Sequence, residues 1–125
     1  STEQAQRLIN EHFFNENEFY GEYIIPYIAL NDQDINDSIN INGNIYGYMN
    51  FLIYLGLKKY GLSDAGKILA EKSANMLLKG WIKDRCVYDS YNCFGGEGTD
   101  NSNENVLSTR GGILALLTLM EEGFW

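Results

Sequence analysis

Two carboxylates bracket an aromatic, glycine-rich stretch at residues 87–98, Val87-Tyr88-Asp89-Ser90-Tyr91-Asn92-Cys93-Phe94-Gly95-Gly96-Glu97-Gly98. Carboxylates such as Asp89 and Glu97 move protons, the carboxamide of Asn92 pairs with hydroxyls, and the rings of Tyr88 and Tyr91 offer faces to the C–H surfaces of sugars. Glycines at 95, 96 and 98 allow a sharp bend and a close backbone approach to a ligand. On residue chemistry alone three roles stand open: a carboxylate-dependent active site, a non-catalytic sugar-binding surface, and an ordered structural loop.

A second carboxylate of interest is Glu22 in Tyr20-Gly21-Glu22-Tyr23, an aromatic setting of the kind that tunes a carboxylate for proton transfer, with a structural role as the alternative. Residues 15–44, which include it, hold six acidic side chains and no Lys or Arg. Within them Asp32-Gln33-Asp34-Ile35-Asn36 has the alternating oxygen ligands that open a calcium loop, but Asp37 stands where that loop needs Gly and Gly43 where it needs Glu. A solvated acidic turn is the expectation there, and no metal or cofactor is assigned.

Other catalytic chemistries are poorly supplied. Cys86 and Cys93 are the only cysteines, at a spacing that matches no common metal or redox motif, so both are expected to be reduced thiols. With His12 the only histidine, zinc coordination and Ser-His catalysis both lack ligands or partners. A formal charge of −8, from 9 basic and 17 acidic side chains, has the wrong sign for phosphate backbones or anionic lipid surfaces, which argues against nucleic-acid and membrane partners. No apolar run approaches the roughly 18 residues of a membrane span, and Ser1-Thr2-Glu3-Gln4 has neither the basic nor the apolar region of a signal peptide. A cytoplasmic protein is expected.

The elements that must position these residues are helices of two alternating kinds. Residues 2–14 are amphipathic, with Ala5, Leu8, Ile9 and Phe13 on one face; residues 45–60 are apolar nearly all round and are expected to be buried on most sides. Residues 64–83, with Ser63 as N-cap, are amphipathic again, and residues 110–122 are apolar through their middle, with Gly123 as the stop. Amphipathic, buried, amphipathic, buried is the pattern of a two-layered ring, outer helices half in water and inner ones covered on both flanks. The predicted fold is therefore all-α, residues 1–125 forming one domain and about a third of an α/α toroid. Such an arc leaves inner-helix surface uncovered, which predicts a homo-oligomer or a missing partner segment. Two long connections, 15–44 and 84–109, both run from an outer to an inner helix, so they emerge on one face and can meet over one mouth.

With these motifs in order along the chain, the sequence resembles glycoside hydrolase family 63 and its bacterial relatives, including mannosylglycerate hydrolases, with trehalases more distant. That family shows Phe-Trp-Gly-Glu-Tyr-x-x-Pro, then Arg-Gly-x-Ile-Trp-x-x-x-Asn, an apolar helix, an outer helix, Glu-x-Tyr-Asn/Asp, Gly-x-Gly and a last apolar helix. This chain has Phe19-Tyr20-Gly21-Glu22-Tyr23-Ile24-Ile25-Pro26, then Asn42-Gly43-Asn44-Ile45-Tyr46-Gly47-Tyr48-Met49-Asn50, then Asp89-Ser90-Tyr91-Asn92 and Gly96-Glu97-Gly98. The similarity spans about residues 19–123.

The resemblance implies the C-terminal third of an (α/α)6 barrel and inverting hydrolysis of an α-glycoside, of α-glucoside or mannosylglycerate type. Inversion uses a general acid and an opposed general base about 6.5–9.5 Å apart. The family's base falls on Asp89; its acid belongs to an upstream part of the barrel. Glu97 and Asn92 would orient the base or the sugar, Tyr46, Tyr88 and Tyr91 would stack on it, and Asn50 and Glu22 would join the sugar-contacting set. Several positions depart from the pattern. Asp89 is one methylene shorter than Glu, a retreat of the kind that can cost on the order of 100-fold in rate. The family's Arg and Trp are Asn42 and Tyr46, and Arg110-Gly111 stands where an aromatic followed by Gly is usual. The expected function is thus a truncated or divergent glycoside hydrolase domain, with a non-catalytic carbohydrate-binding or protein-assembly module as the alternative.

Overall fold

The computed structural model describes residues 1–35, 43–99 and 107–124. Among them the chain is mostly helical: α1 (Thr2–Leu8), a π-turn (Ile9–Phe13), β1 (Asn44–Tyr46), α2 (Gly47–Lys59), α3 (Ser63–Asp84), β2 (Ser90–Asn92) and α4 (Thr109–Glu121). The two three-residue strands pair antiparallel in the register Asn44↔Asn92, Ile45↔Tyr91, Tyr46↔Ser90. A small ribbon therefore joins the two long connections, which an all-helical expectation did not contain.

Several helix boundaries have a local cause. Ser1 and Gln4 form a capping box at α1. The expected helix of residues 2–14 is α-helical only to Leu8, after which Phe14 N–H donates to the Ile9 carbonyl at 3.1 Å, the i→i+5 bond of a π-turn. Ser63 is not the N-cap of α3; it is the helix's first residue, and the preceding Leu62 supplies no side-chain cap. The C-termini of α2 and α4 are closed by the same device. Gly61 (φ +70°) and Gly123 (φ +81°) take the left-handed conformation, and the next residue's N–H bonds back to Leu57 and Leu119 respectively, at 2.9 and 3.0 Å.

The helix at residues 45–60 differs from expectation in two respects. It begins at Gly47, because Asn44–Tyr46 is drawn into the ribbon, and only one face of it is covered. Gly47, Asn50, Tyr54 and Leu57 are buried, whereas Leu52 is 60% exposed and Tyr48 and Leu55 share its open side. Every fourth or third residue of α3 is buried, from Ala65 through Leu69, Ser73 and Met76 to Gly80. Small residues in that stripe let bulky neighbours approach: Gly66 lies under the Tyr54 ring and Gly80 under Tyr88 and Tyr91. A Cβ on Gly47 would sit 2.9 Å from the Arg110 carbonyl oxygen, so its absence lets α2 and α4 pack closely.

Two apolar clusters result. One gathers Ile9, Phe13, Ile24, Tyr54, Leu57, Leu69 and Leu117; the other lies beneath the ribbon and gathers Tyr23, Ile45, Met76, Tyr88, Tyr91, Cys93 and Leu114. Burying each of these large side chains contributes about 1.5–3 kcal/mol. α3 and α4 feed both clusters, and Ile45 and Tyr91 fix the ribbon to the second.

Candidate functional site

Strand alternation sorts the ribbon's side chains. Ile45 and Tyr91, opposite one another, point inward and are fully buried. On the other face Ser90 is tied to its neighbours, with Thr99 Oγ1 at 2.8 Å from its hydroxyl and Asn44 Nδ2 donating at 3.4 Å. Asn92 organises the bend that follows: its Oδ1 accepts from the N–H groups of Phe94 (2.8 Å) and Gly95 (3.1 Å), and its backbone bonds to Glu97 and Gly96. Gly96 must be glycine twice over, having φ +69° and the Tyr23 ring packed where a Cβ would lie. Residues 87–98 are thus a braced turn, with Asn92 as its internal acceptor.

Asp89 lies just before β2, and its Oδ1 accepts from the Ser108 hydroxyl, which in turn accepts from Gly111 N–H at 3.1 Å. Ser108 is the N-cap of α4. The carboxylate therefore backs a helix cap and faces the positive end of that helix's dipole. Tyr88 is held in a glycine-lined slot, with Gly98 and Gly80 against its ring and Gly111 against its carbonyl; a Cβ on Gly98 or Gly111 would collide with it. Its hydroxyl donates to Asp84 at 2.9 Å, and burial, then this bond, pushes its pKa up to about 12. Tyr91 is packed edge-on against Tyr88, and its hydroxyl accepts from Tyr88 N–H. Burial raises the Tyr91 pKa.

Glu97 and Glu22 are both exposed, and the charge of each acts on Lys79. The Lys79 ammonium donates to Tyr23 Oη at 3.0 Å and to the Gly95 carbonyl at 2.5 Å, and sits 5.0 Å from the Tyr23 ring centroid. Its pKa is raised first by the Tyr23 bond and then by the charge of Tyr23, Glu22 and Glu97, against a lowering by desolvation. A lysine on α3 thus ties the first long connection to the second. No spacing signal in the sequence links it to residues 23 and 95.

Asn50 is fully buried and its amide makes three internal hydrogen bonds. Oδ1 accepts from Ile25 N–H (3.2 Å), and Nδ2 donates to the Ile24 carbonyl (2.8 Å) and to Ser73 Oγ (3.1 Å). Tyr46 has a different setting, in a chain of three rings: its centroid is 6.0 Å from Tyr27 and 5.6 Å from Tyr48. Tyr27 and Tyr48 are 51% and 41% exposed, so this cluster opens to solvent beside the ribbon. Neither was singled out from the sequence; each is one tyrosine among nine, and only the fold brings both to Tyr46.

The arrangement separates the carboxylates by role. Asp89 serves a helix cap, while the charges of Glu22 and Glu97 act on the Lys79 ammonium. Asp32 accepts from Asp34 N–H at 2.9 Å, an acidic turn closed on itself; Asn36, Asp37 and Asn42 lie outside the described residues. Among the described residues no three His, Cys, Asp or Glu side chains are grouped to hold a metal, and no helix is long and apolar enough to cross a membrane. Cys86 and Cys93 are buried and not joined to each other; burial lifts the Cys93 thiol to about 11. Compared with protein-family models, curated proteins and solved structures, the chain gives no match.

Proposed function

We propose that this chain is a divergent domain of glycoside-hydrolase-63 type that binds carbohydrate through the Tyr27–Tyr46–Tyr48 surface and does not hydrolyse it. The observation that carries the reading is the division of the candidate residues. The aromatic position of the resembling motif, Tyr46, is part of an exposed ring cluster, whereas Asp89, at the position of the general base, is engaged by Ser108. Aromatic faces beside a hydroxyl and an amide at the surface, here Thr99 and Asn44 braced by the buried Ser90, are what a pyranose needs for stacking and hydrogen bonding. Tyr88, Tyr91 and Asn50 support that surface from beneath, since their polar atoms are spent on internal partners.

The α/α toroid belongs to the same proposal. It is supported by the open apolar sides of the helices, Leu52 and Leu55 on α2 and Leu78 and Ile82 on α3, which in a ring would be covered by neighbouring helix pairs. A second copy of the chain or a preceding barrel segment is the proposed cover.

The test is calorimetric titration with α-gluco-oligosaccharides and mannosylglycerate, alongside an assay for released reducing sugar. Binding without release is expected. Tyr46→Ala should weaken binding by about 3- to 10-fold, the equivalent of about 0.5–1.5 kcal/mol from one aromatic face. Sugar release abolished by Asp89→Asn would restore the hydrolase reading. Absence of binding would leave assembly as the function.

A further inference from the structure

α2 and α4 run side by side in the same direction. At the ribbon end a Cβ on Gly47 would meet the Arg110 carbonyl oxygen, Ile113 Cγ2 and Leu114 Cγ; toward the other end Tyr54 Oη donates to Glu121 Oε2 at 2.7 Å. Positions 110, 114, 117 and 121 therefore form one stripe of α4 that faces α2, with Leu114 and Leu117 buried in it. Arg110 is the first member of that stripe. Its carbonyl lies at the level of Gly47, and its side chain, which leans toward the helix N-terminus as helical side chains do, projects on the ribbon side of that level. The chain neighbours of Gly47 there are Tyr46 and Tyr48, two of the three rings of the exposed cluster.

Arg110 is exposed and has no hydrogen-bond or ion-pair partner among the described residues. By contrast Arg7 is paired with Glu11, Lys58 with Glu121, and Lys72 and Lys79 are held by backbone carbonyls. Neither α2 nor α4 has an acidic residue in its first turn to neutralise the guanidinium. Asp89, at the same end of α4, is taken up by the Ser108 hydroxyl. The net charge of −8 acts at longer range and is screened over about 8 Å at physiological salt.

A guanidinium presents a planar fork of donors that matches a carboxylate through two parallel hydrogen bonds. One guanidinium also balances the single charge of a carboxylate, whereas a phosphate monoester, at about −1.5 to −2, calls for a second cation. Tyrosine faces beside such a fork suit a pyranose that itself carries a carboxylate, which is a hexuronate. We infer that the ligand of the Tyr27–Tyr46–Tyr48 surface is an acidic saccharide containing a hexuronate, and that Arg110 selects it by pairing with its carboxylate. This inference rests on the carbohydrate reading above and adds the charge of the sugar. It also gives a role to Arg110, which stands where the resembling family has an aromatic residue.

The probes are maltotriose and maltotriose oxidised at C6 of its non-reducing glucose to a glucuronosyl residue, which differ by one carboxylate, titrated into the full chain and followed by NMR. At low salt the acidic probe should bind about fivefold tighter, the upper end for an exposed ion pair, and the margin should vanish near about 1 M salt. Arg110→Gln should remove the preference and leave maltotriose affinity unchanged. Arg110→Lys should keep only part of it, because the charge remains without the fork. Binding of the acidic probe alone, lost in Arg110→Gln, supports the inference equally. It is overturned if wild type binds both probes alike, or if Arg110→Gln weakens both by the same factor, which would make Arg110 a support for the surface; either result leaves the carbohydrate reading standing. Binding of neither probe removes that reading and this inference with it.

Discussion

Replacing Asn50 with leucine keeps the side chain's approximate volume and removes three hydrogen bonds at once. The Ile24 carbonyl, in a residue 1% exposed, loses its 2.8 Å donor; Ile25 N–H loses its acceptor; and Ser73 Oγ, fully buried, loses its donor. An unsatisfied buried polar group costs about 1–3 kcal/mol. The Ser73 hydroxyl can recover by bonding back to a carbonyl of its own helix, and Ile25, only partly buried, can recruit water, so neither contributes its full amount. Most of the cost falls on the Ile24 carbonyl, with a fraction from Ile25, and the sum is about 2–4 kcal/mol. For a chain of this size that corresponds to a fall in melting temperature of about 6–16 °C, a large part of a typical domain's stability. Urea titration followed by circular dichroism measures it, with Ser73→Ala as the companion, expected to cost about 1 kcal/mol or less. If Asn50→Leu lies within 0.5 kcal/mol of wild type, the buried amide is not what holds residues 24–25 to α2, and the account of the first long connection fails.

The neighbouring glycines of α4 should respond oppositely to alanine. Gly111→Ala drives a Cβ into the Tyr88 carbonyl oxygen and should destabilise by more than 3 kcal/mol in order-of-magnitude terms, while Gly112→Ala meets nothing within 4 Å and should stabilise by up to about 1 kcal/mol; thermal melts of the pair decide it. High pH should loosen the fold through two tyrosines. Tyr54 is raised to about 12 by burial and then by its bond to Glu121, and Tyr88 to about 12 by burial and then by its bond to Asp84. Their neutral form is favoured in the folded chain, so their contribution is complete below pH 10. It is lost as pH rises from 10 through 12, where the unfolded chain binds fewer protons. Urea midpoints across that interval should fall, and ultraviolet titration should show these two phenols ionising only with unfolding.

The four helical segments were readable because each repeats apolar residues at helical spacing over 13 or more positions, enough for periodicity to identify them. The ribbon was not, since strands of three residues are too short to display alternation, and the two pair across about 46 residues of sequence, as Ile45 does with Tyr91. Burial around residues 47–59 was misjudged for a related reason. Leu52 and Leu55 look like core residues by type, and which face of a nearly uniform apolar helix is covered depends on where α3 and α4 arrive. The π-turn at Ile9 has no composition signature at all.

The candidate site shows the same division at the level of single groups. Residue type nominated Asp89, Glu97, Asn92 and the tyrosines for sugar chemistry, and type is equally compatible with bracing a turn. Partners decide between these uses. Asp89 is matched to Ser108 and through it to the N-terminus of α4, where a negative charge is stabilising by about 0.3–1 kcal/mol. A general base instead needs a water in reach and an acid across a gap wide enough to hold the sugar. The short side chain of Asp89 suits the first role, because its carboxylate reaches the Ser108 hydroxyl at the helix cap. Under the proposed reading an exposed aromatic face would hold the ligand, while the carboxylate of Asp89 is engaged in keeping the cap of α4 in place.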